Sequence, residues 1–294
     1  MSSHAAEIAR APAPSGAAFF PAVFVVLWST GFIAAKYGLP YAPPITFLAL
    51  RFACAAALVG AMAISAHARW PSAREVLHLG VAGLLVHGVY LGGVWIAIKQ
   101  GTEAGTSAML VGLQPLLTVL LARVWLRERA AAVQWIGLLV ALMGVYLVVR
   151  HKIAFGGAGV LASLLALAGI SIGTLYQKRH NAGTHLFMAA AVQYLVCAIV
   201  FAPLGWLLET EPVQWSGAFL FALAWSVVVL SVGAISLLYW LLRHGASAHV
   251  ARLFYMVPAV TAVMAYVIFG ERLGPAAIVG MALIAIGVAF AGRR

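Results

Sequence analysis

The sequence contains no aspartate, and its seven acids, all glutamate, stand against 18 Lys and Arg. Only 9% of the 294 residues are charged, 64% are hydrophobic, and the mean hydropathy is +1.03. A water-soluble domain of this size needs more polar surface than that, so an ordinary globular fold is excluded and the apolar excess must face lipid. The two cysteines, Cys54 and Cys197, lie inside apolar runs, which supports neither a disulfide framework nor a thiolate metal cluster; both read as small packing residues. Also missing are a phosphate-cradling Gly-rich loop and His-x-x-x-His or Cys-x-x-Cys spacing. No polar stretch is long enough for a nucleotide-binding domain, so ATP is not the driver within this chain. No cofactor, metal or ATPase partner is expected. The formal charge of +11 would suggest nucleic acid in a soluble domain. In a polytopic chain, basic residues gathered in cytoplasmic loops explain it without a nucleic-acid partner.

What is present is a series of apolar stretches bounded by charge, Gly or Pro. They predict ten spans, at 19–39, 44–66, 75–98, 104–126, 130–149, 157–177, 184–208, 215–241, 246–269 and 274–291. Residues 1–17 are Ala/Pro/Ser-rich and are expected to be a disordered cytoplasmic lead. The first apolar run is too long for a signal-peptide core and is kept as an anchor. With both termini inside, eleven Lys and Arg fall on the inner side, five on the outer and two within spans, which favours that orientation. Arg150 and Lys152 on the outer side oppose it locally. Gly88-xxx-Gly92 and Gly169-xxx-Gly173 offer close helix contacts.

The two halves repeat. Pro115, Thr118, Glu128, Arg129, Gly137, Gly144 and Val145 recur 143 residues later as Pro258, Thr261, Glu271, Arg272, Gly280, Gly287 and Val288. Upstream, Lys99-x-Gly101-x-x-Ala104 pairs with Arg243-x-Gly245-x-x-Ala248 at a displacement of 144. Ser29, Gly31, Lys36 and Arg51 pair with Ser171, Gly173, Lys178 and Gln193 at 142. The unit is five helices, 18–150 followed by 151–294. An odd number of spans per unit inserts the second copy upside down, so the expected fold is an all-α integral membrane protein of ten transmembrane helices in two inverted five-helix repeats. Inverted halves can exchange conformations around a midplane site, which is alternating access, and this points to a carrier.

The pattern apolar-Pro-(x)12-Glu-Arg-(x)7-Gly-(x)6-Gly closing each half, with the (Lys/Arg)-x-Gly-x-x-Ala step, resembles the drug/metabolite transporter superfamily, specifically its EamA-type exporters. The resemblance runs from about 19 to 291, and length and aromatic content are most similar to the YddG-type exporters of aromatic amino acids. One departure is that the Gly usual before the Glu is kept as Gly270 but replaced by Arg127. The resemblance implies a secondary transporter of the bacterial-type cytoplasmic membrane that exports small metabolites, amino acids foremost. Its site would lie between the halves, lined by spans one, three, four, six, eight and nine. A lipid-acting intramembrane enzyme, a cationic-drug transporter and a structural subunit are the competing readings. Partners are a small-molecule substrate and membrane lipid.

Candidate substrate-contacting residues follow from depth and chemistry. His87 lies mid-span, where an ionisable group marks a wet path; it is either a proton carrier or a neutral imidazole bonded to a neighbouring helix. Tyr90, one turn on, extends its stripe. Arg252 presents a planar fork suited to a carboxylate, or snorkels to the interface. Arg51 and its repeat mate Gln193 read better as helix-to-helix bonds. Gln114 at midplane binds substrate or satisfies the kink beside it. Ser171 is a small polar residue on a facing helix. Trp95, Tyr176, Tyr239, Trp240 and Tyr255 are candidates for an aromatic platform, competing with interfacial anchoring. Pro115 and Pro258, mid-span at matched positions, are candidate hinges. Glu128–Arg129 and Glu271–Arg272 read as turn caps or ion pairs. With every glutamate outside the span centres, coupling would use His87 or a span-end acid such as Glu103, or be absent.

Overall fold

The computed structural model describes residues 19–126, 132–153, 157–181, 183–244, 253–272 and 274–291. These are all helix and connection, with no strand among the described residues. The helices are α1 (Phe20–Gly38), α2 (Pro44–Ser65), α3 (Ala73–Gly83), α4 (Tyr90–Lys99), α5 (Ala104–Val111), α6 (Gln114–Leu126), α7 (Ala132–Ile153), α8 (Ala158–His180), α9 (Leu186–Leu208), α10 (Gly217–Ala224), α11 (Ile235–His244), α12 (Val257–Phe269) and α13 (Pro275–Ala291). Two π-helical segments, Leu84–Val89 and Trp225–Ala234, join α3 to α4 and α10 to α11 without a break. Six of the resulting rods are long and apolar enough to cross a membrane: Phe20–Gly38, Pro44–Ser65, Ala73–Lys99, Ala158–His180, Leu186–Leu208 and Gly217–Leu238. The chain is a multi-pass membrane protein.

Local sequence sets the helix ends. Ser72 and Glu75 form a capping box at α3, and Ser216 accepts from the Phe219 N–H at α10. The α2 start is capped from afar: Glu209, at the end of α9, accepts from the Ile45 and Thr46 N–H groups at 2.8 Å. Glu271 does the same for α5, accepting from Ala104 N–H at 3.1 Å and Gly105 N–H at 3.5 Å, and it also pairs with Lys36. The expected cap-or-ion-pair reading of Glu271 thus takes both forms at once. Glu128 and Arg129 lie outside the described residues.

Pro115 begins a helix rather than bending a continuous one, and Pro258 sits where a 3-10 turn runs into an α-helix. The chain leaves α5 at Val111, turns through Gly112 and Leu113, and restarts as α6 with Pro115 as its second residue. Pro258 is likewise the second residue of α12, after a 3-10 turn at Phe254–Met256. Proline fits a first helical turn, where its missing N–H would have no partner anyway.

Packing joins the first part of the chain to the second: α2 lies on α9, α7 on α13, α4 on α8, and α5 on α12. Gly144 and Gly280 let α7 and α13 cross closely; a Cβ on Gly144 would stand 2.5 Å from the Gly280 carbonyl, and one on Gly280 2.6 Å from that of Gly144. Similarly, Gly169 and Gly173 of α8 admit Val89 and Val86 of the first π segment. The interior is built on Phe24, Phe47, Phe52, Trp95, Tyr194 and Phe219, while Ile64, Leu139, Ile199, Trp206 and Val267 are exposed, as lipid-facing surface requires. Cys197 is buried and Cys54 exposed.

Candidate functional site

A cavity of about 430 Å³ lies within the bundle. Its walls come from α1, α2, the first π segment, α4, α6, α8, α9, the second π segment, α11 and Phe254. Most of the lining is apolar, with Trp28, Phe32, Trp95 and Phe254 as its aromatic part and Arg51, His87, Tyr90, Gln114, Gln193 and Tyr194 among its polar groups. Such a chamber, apolar with a few convergent polar groups, is the usual form of a small-molecule site. At one end it reaches the exposed Lys178, the last turn of α8, and Leu186 at the start of α9. A smaller recess of about 20 Å³ continues beside Pro115, sharing Trp28, Phe32, Tyr90, Gln114 and Phe254 with the main chamber.

The π segments matter to this geometry. A π turn carries one more residue than an α turn and redirects the side chains that follow, which is why such turns gather at functional sites. The first places Val86 and His87 on the wall and the second Leu230 and Ala234. In the second, the Ser231 hydroxyl donates to the Ser226 carbonyl five residues back, at 3.0 Å.

The polar groups form two short chains. Arg51 donates from Nε and Nη2 to Ser231 Oγ, both at 3.3 Å, and Tyr194 donates to the Ser231 carbonyl at 3.4 Å. His87, with its proton on Nε2, donates to Gln193 Oε1 at 3.2 Å, and its ring lies 4.6 Å from that of Tyr194. Arg51, His87, Gln193 and Tyr194 are all buried. Among the described residues no carboxylate lies within 4 Å of Arg51, and Gln193 Nε2 has no hydrogen-bond partner. A buried guanidinium without a counter-ion is expensive, so a position that keeps one is a place where an anion is received or water penetrates.

Of the residues singled out from sequence, His87, Tyr90, Trp95 and Gln114 line the cavity. Ser171 is fully buried beside it, its hydroxyl without a partner, while Ile170 and Thr174 supply the α8 wall. Tyr176 turns away, bonding His78 at 2.7 Å and stacking on His180. Trp240 packs edge-on against Phe20 at 4.6 Å, and Tyr255 packs on a core cluster containing Met109 and Leu110. Arg252 and the Tyr239 side chain lie outside the described residues. Sequence reasoning undervalued Arg51 and Gln193, which make helix-to-helix bonds and also face the cavity, and it passed over Tyr194. The signal that could have found them was their repeat register at a displacement of 142, which joins a charged residue to a polar one in the middle of apolar helices.

Among the described glutamates, Glu75 and Glu103 sit at the starts of α3 and α5, Glu209 and Glu271 lie just past α9 and α12 and cap the starts of α2 and α5, and Glu211, in the α9–α10 connection, pairs with Lys99. None of them lines the cavity.

Comparison with known proteins fits this geometry. A 27% identical relative from Archaeoglobus fulgidus, named as an uncharacterised transporter, aligns over 74% of this chain and 88% of its own length. A "Probable terminal-alkyne amino-acid exporter" from Streptantibioticus cattleyicolor is 30% identical over 284 residues, covering 92% of this chain and 91% of that protein. A "Probable amino-acid metabolite efflux pump" from Salmonella typhimurium is 26% identical over 288 residues, 92% of each. A crystal structure at 22% identity superimposes with a TM-score of 0.64 over 93% of this chain and 96% of its own, which shows the fold. The family and these relatives are transporters rather than enzymes. The family profile matches twice, over 15–150 and 157–293, and the chain belongs to the EamA-like transporter family.

Proposed function

We propose that the protein is a secondary transporter that exports a small metabolite, an amino acid or a close relative, from the cytoplasm by alternating access. The observation that carries this reading is the central cavity, walled by helices from both family-matched segments and holding a buried, uncompensated Arg51. The two amino-acid exporter relatives support the substrate class. Absence of any acid from the described lining speaks against a cationic drug, which would meet Arg51 and Lys178 and no opposing charge.

Ten spans arranged as two inverted five-helix halves, 18–150 and 151–294, account for the two matched segments, the interleaved packing and the paired π segments. The excess of basic residues on one side supports an inner-membrane protein with both termini in the cytoplasm. In that orientation the chamber opens inward past Lys178, while the Lys36–Glu271 pair and the capped start of α5 close the outward side. Pro115, behind the Gly112–Leu113 turn, and Pro258, behind the 3-10 turn at Phe254–Met256, are the joints at which α6 and α12 can swing. His87 serves as a hydrogen-bonding wall residue through its contact with Gln193.

Purified protein in liposomes, supplied with labelled leucine or phenylalanine with and without a pH gradient, tests the reading. Accumulation or counterflow of either is expected. No movement of either amino acid in any condition would overturn it.

A further inference from the structure

We propose that Arg51 and Gln193 together form a carboxylate-binding subsite, and that the aromatic wall of Trp28, Trp95 and Phe254 takes the apolar body of the same substrate. This deepens the export reading and rests on it for the molecule that enters.

The subsite is read from unmet hydrogen-bonding capacity. Arg51 is 5% exposed and carries five N–H donors, but among the described residues its one acceptor is Ser231 Oγ, shared at 3.3 Å by Nε and Nη2. Gln193, 3% exposed, spends its carbonyl on His87 and leaves its NH₂ group without a partner. Both line the same chamber. Two donor-rich groups short of acceptors, one of them cationic, are complementary to a carboxylate, which offers about four lone-pair sites and no donor. Bound there, it would satisfy both groups, with Arg51 in its fork geometry and the Gln193 amide as a further donor. A cation would satisfy neither, and an amide would leave the guanidinium charge uncompensated.

The remaining walls fit the rest of a zwitterion with an apolar side chain. Trp28, Trp95 and Phe254 present aromatic surface to the chamber, and Gln114 and Tyr90 offer the neutral oxygens an ammonium needs. The Arg51–Gln193 pairing also explains why these repeat mates need not be the same residue: one supplies charge and the other a neutral donor.

The test compares matched ligands on the detergent-purified full chain. L-leucine and L-phenylalanine are titrated beside their carboxamides, with binding read as ligand-induced thermal shift and tryptophan fluorescence. The acids should bind roughly tenfold or more tighter than the carboxamides, as a lost charged hydrogen bond implies. Arg51→Gln should abolish that preference, Arg51→Lys should retain part of it, and Gln193→Leu should weaken the acids more than the amides. Equal affinity for acid and carboxamide in the wild-type protein would overturn the assignment, as would full preference in Arg51→Gln or binding of none of the four compounds. Should Arg51→Gln fail to fold, the wild-type comparison and Gln193→Leu still decide. Carboxylate-selective binding with no translocation in liposomes would instead sink the export reading and leave the subsite standing.

Discussion

Arg51 on α2 donates to Ser231 on the second π segment, and the contact has a counterpart elsewhere in the bundle. The repeat register carries Arg51 to Gln193, 142 residues on, and His87 lies on the first π segment as Ser231 lies on the second. Gln193 bonds His87. Each contact joins the second helix of one family-matched segment to the π segment of the other, and the cavity lies against both.

Ser231→Ala removes the acceptor that orients the guanidinium. The net cost in stability should be about 1 kcal/mol, as for a single hydrogen bond. Because the Arg51 side chain loses its anchor, KM for the transported amino acid should rise several-fold with maximal rate little changed. Thermal unfolding in detergent and liposome uptake measure the two effects, and an unchanged KM would detach Ser231 from substrate binding.

Glu271 satisfies a lysine and the first N–H groups of α5 at once. Glu271→Ala leaves all of them without an acceptor and should destabilise the protein by about 2–3 kcal/mol. Lys36→Met, which leaves the α5 cap in place, should cost less. Comparing the two unfolding temperatures checks the order.

The α7–α13 crossing depends on glycine at Gly144 and Gly280. Gly144→Val adds three carbons, the first of them 2.5 Å from the Gly280 carbonyl, and should lower stability by several kcal/mol or abolish folded yield. Gly217→Ala, where a Cβ meets nothing within 4 Å, should be silent. Size-exclusion profiles of the two variants in detergent distinguish them.

If the Gly112–Leu113 turn and the 3-10 turn at Phe254–Met256 are joints, Pro115→Ala and Pro258→Ala restore a backbone donor and allow regular α-helix across each. Turnover should fall more than the affinity for substrate, because neither proline lines the main chamber. Gly112, against which the Pro258 ring packs, limits the gain in helical continuity. Liposome transport kinetics give the separation, and unchanged turnover in both variants would make the turns static.

Much of the helical layout was legible because membrane helices announce themselves by length and apolarity. The Pro44 start of α2 and the Ala104 start of α5 fall at the boundaries read from sequence. The turn at Gly112 and the 3-10 turn before Pro258 both read as kinks from sequence, which shows the proline but not the conformation of the helix before it. The π segments were invisible, because no composition signal distinguishes a π turn from an α turn in a run such as Leu84–Val89. For the site, His87, Tyr90, Trp95 and Gln114 were legible as polar or aromatic groups at depth. Tyr176, Trp240 and Tyr255 were drawn in by residue type alone, and which way a tyrosine faces depends on a neighbour such as His78 that only the fold supplies. Arg51 was assigned to helix bonding, correctly as to its bond to Ser231; the chamber beside it could not be seen from one helix.

The account stands on two halves inserted with opposite polarity about one chamber, and paired residues at equivalent repeat positions report this most directly. Tyr37→Cys and Arg179→Cys, which share the 142-residue register, can be introduced singly into a background with Cys54→Ala and Cys197→Ala and labelled with a membrane-impermeant maleimide on intact cells and on inverted vesicles. Opposite polarity predicts that the Tyr37→Cys variant labels only in intact cells and the Arg179→Cys variant only in inverted vesicles. Labelling of both variants from the same side would contradict the inverted repeat and the alternating-access mechanism built on it.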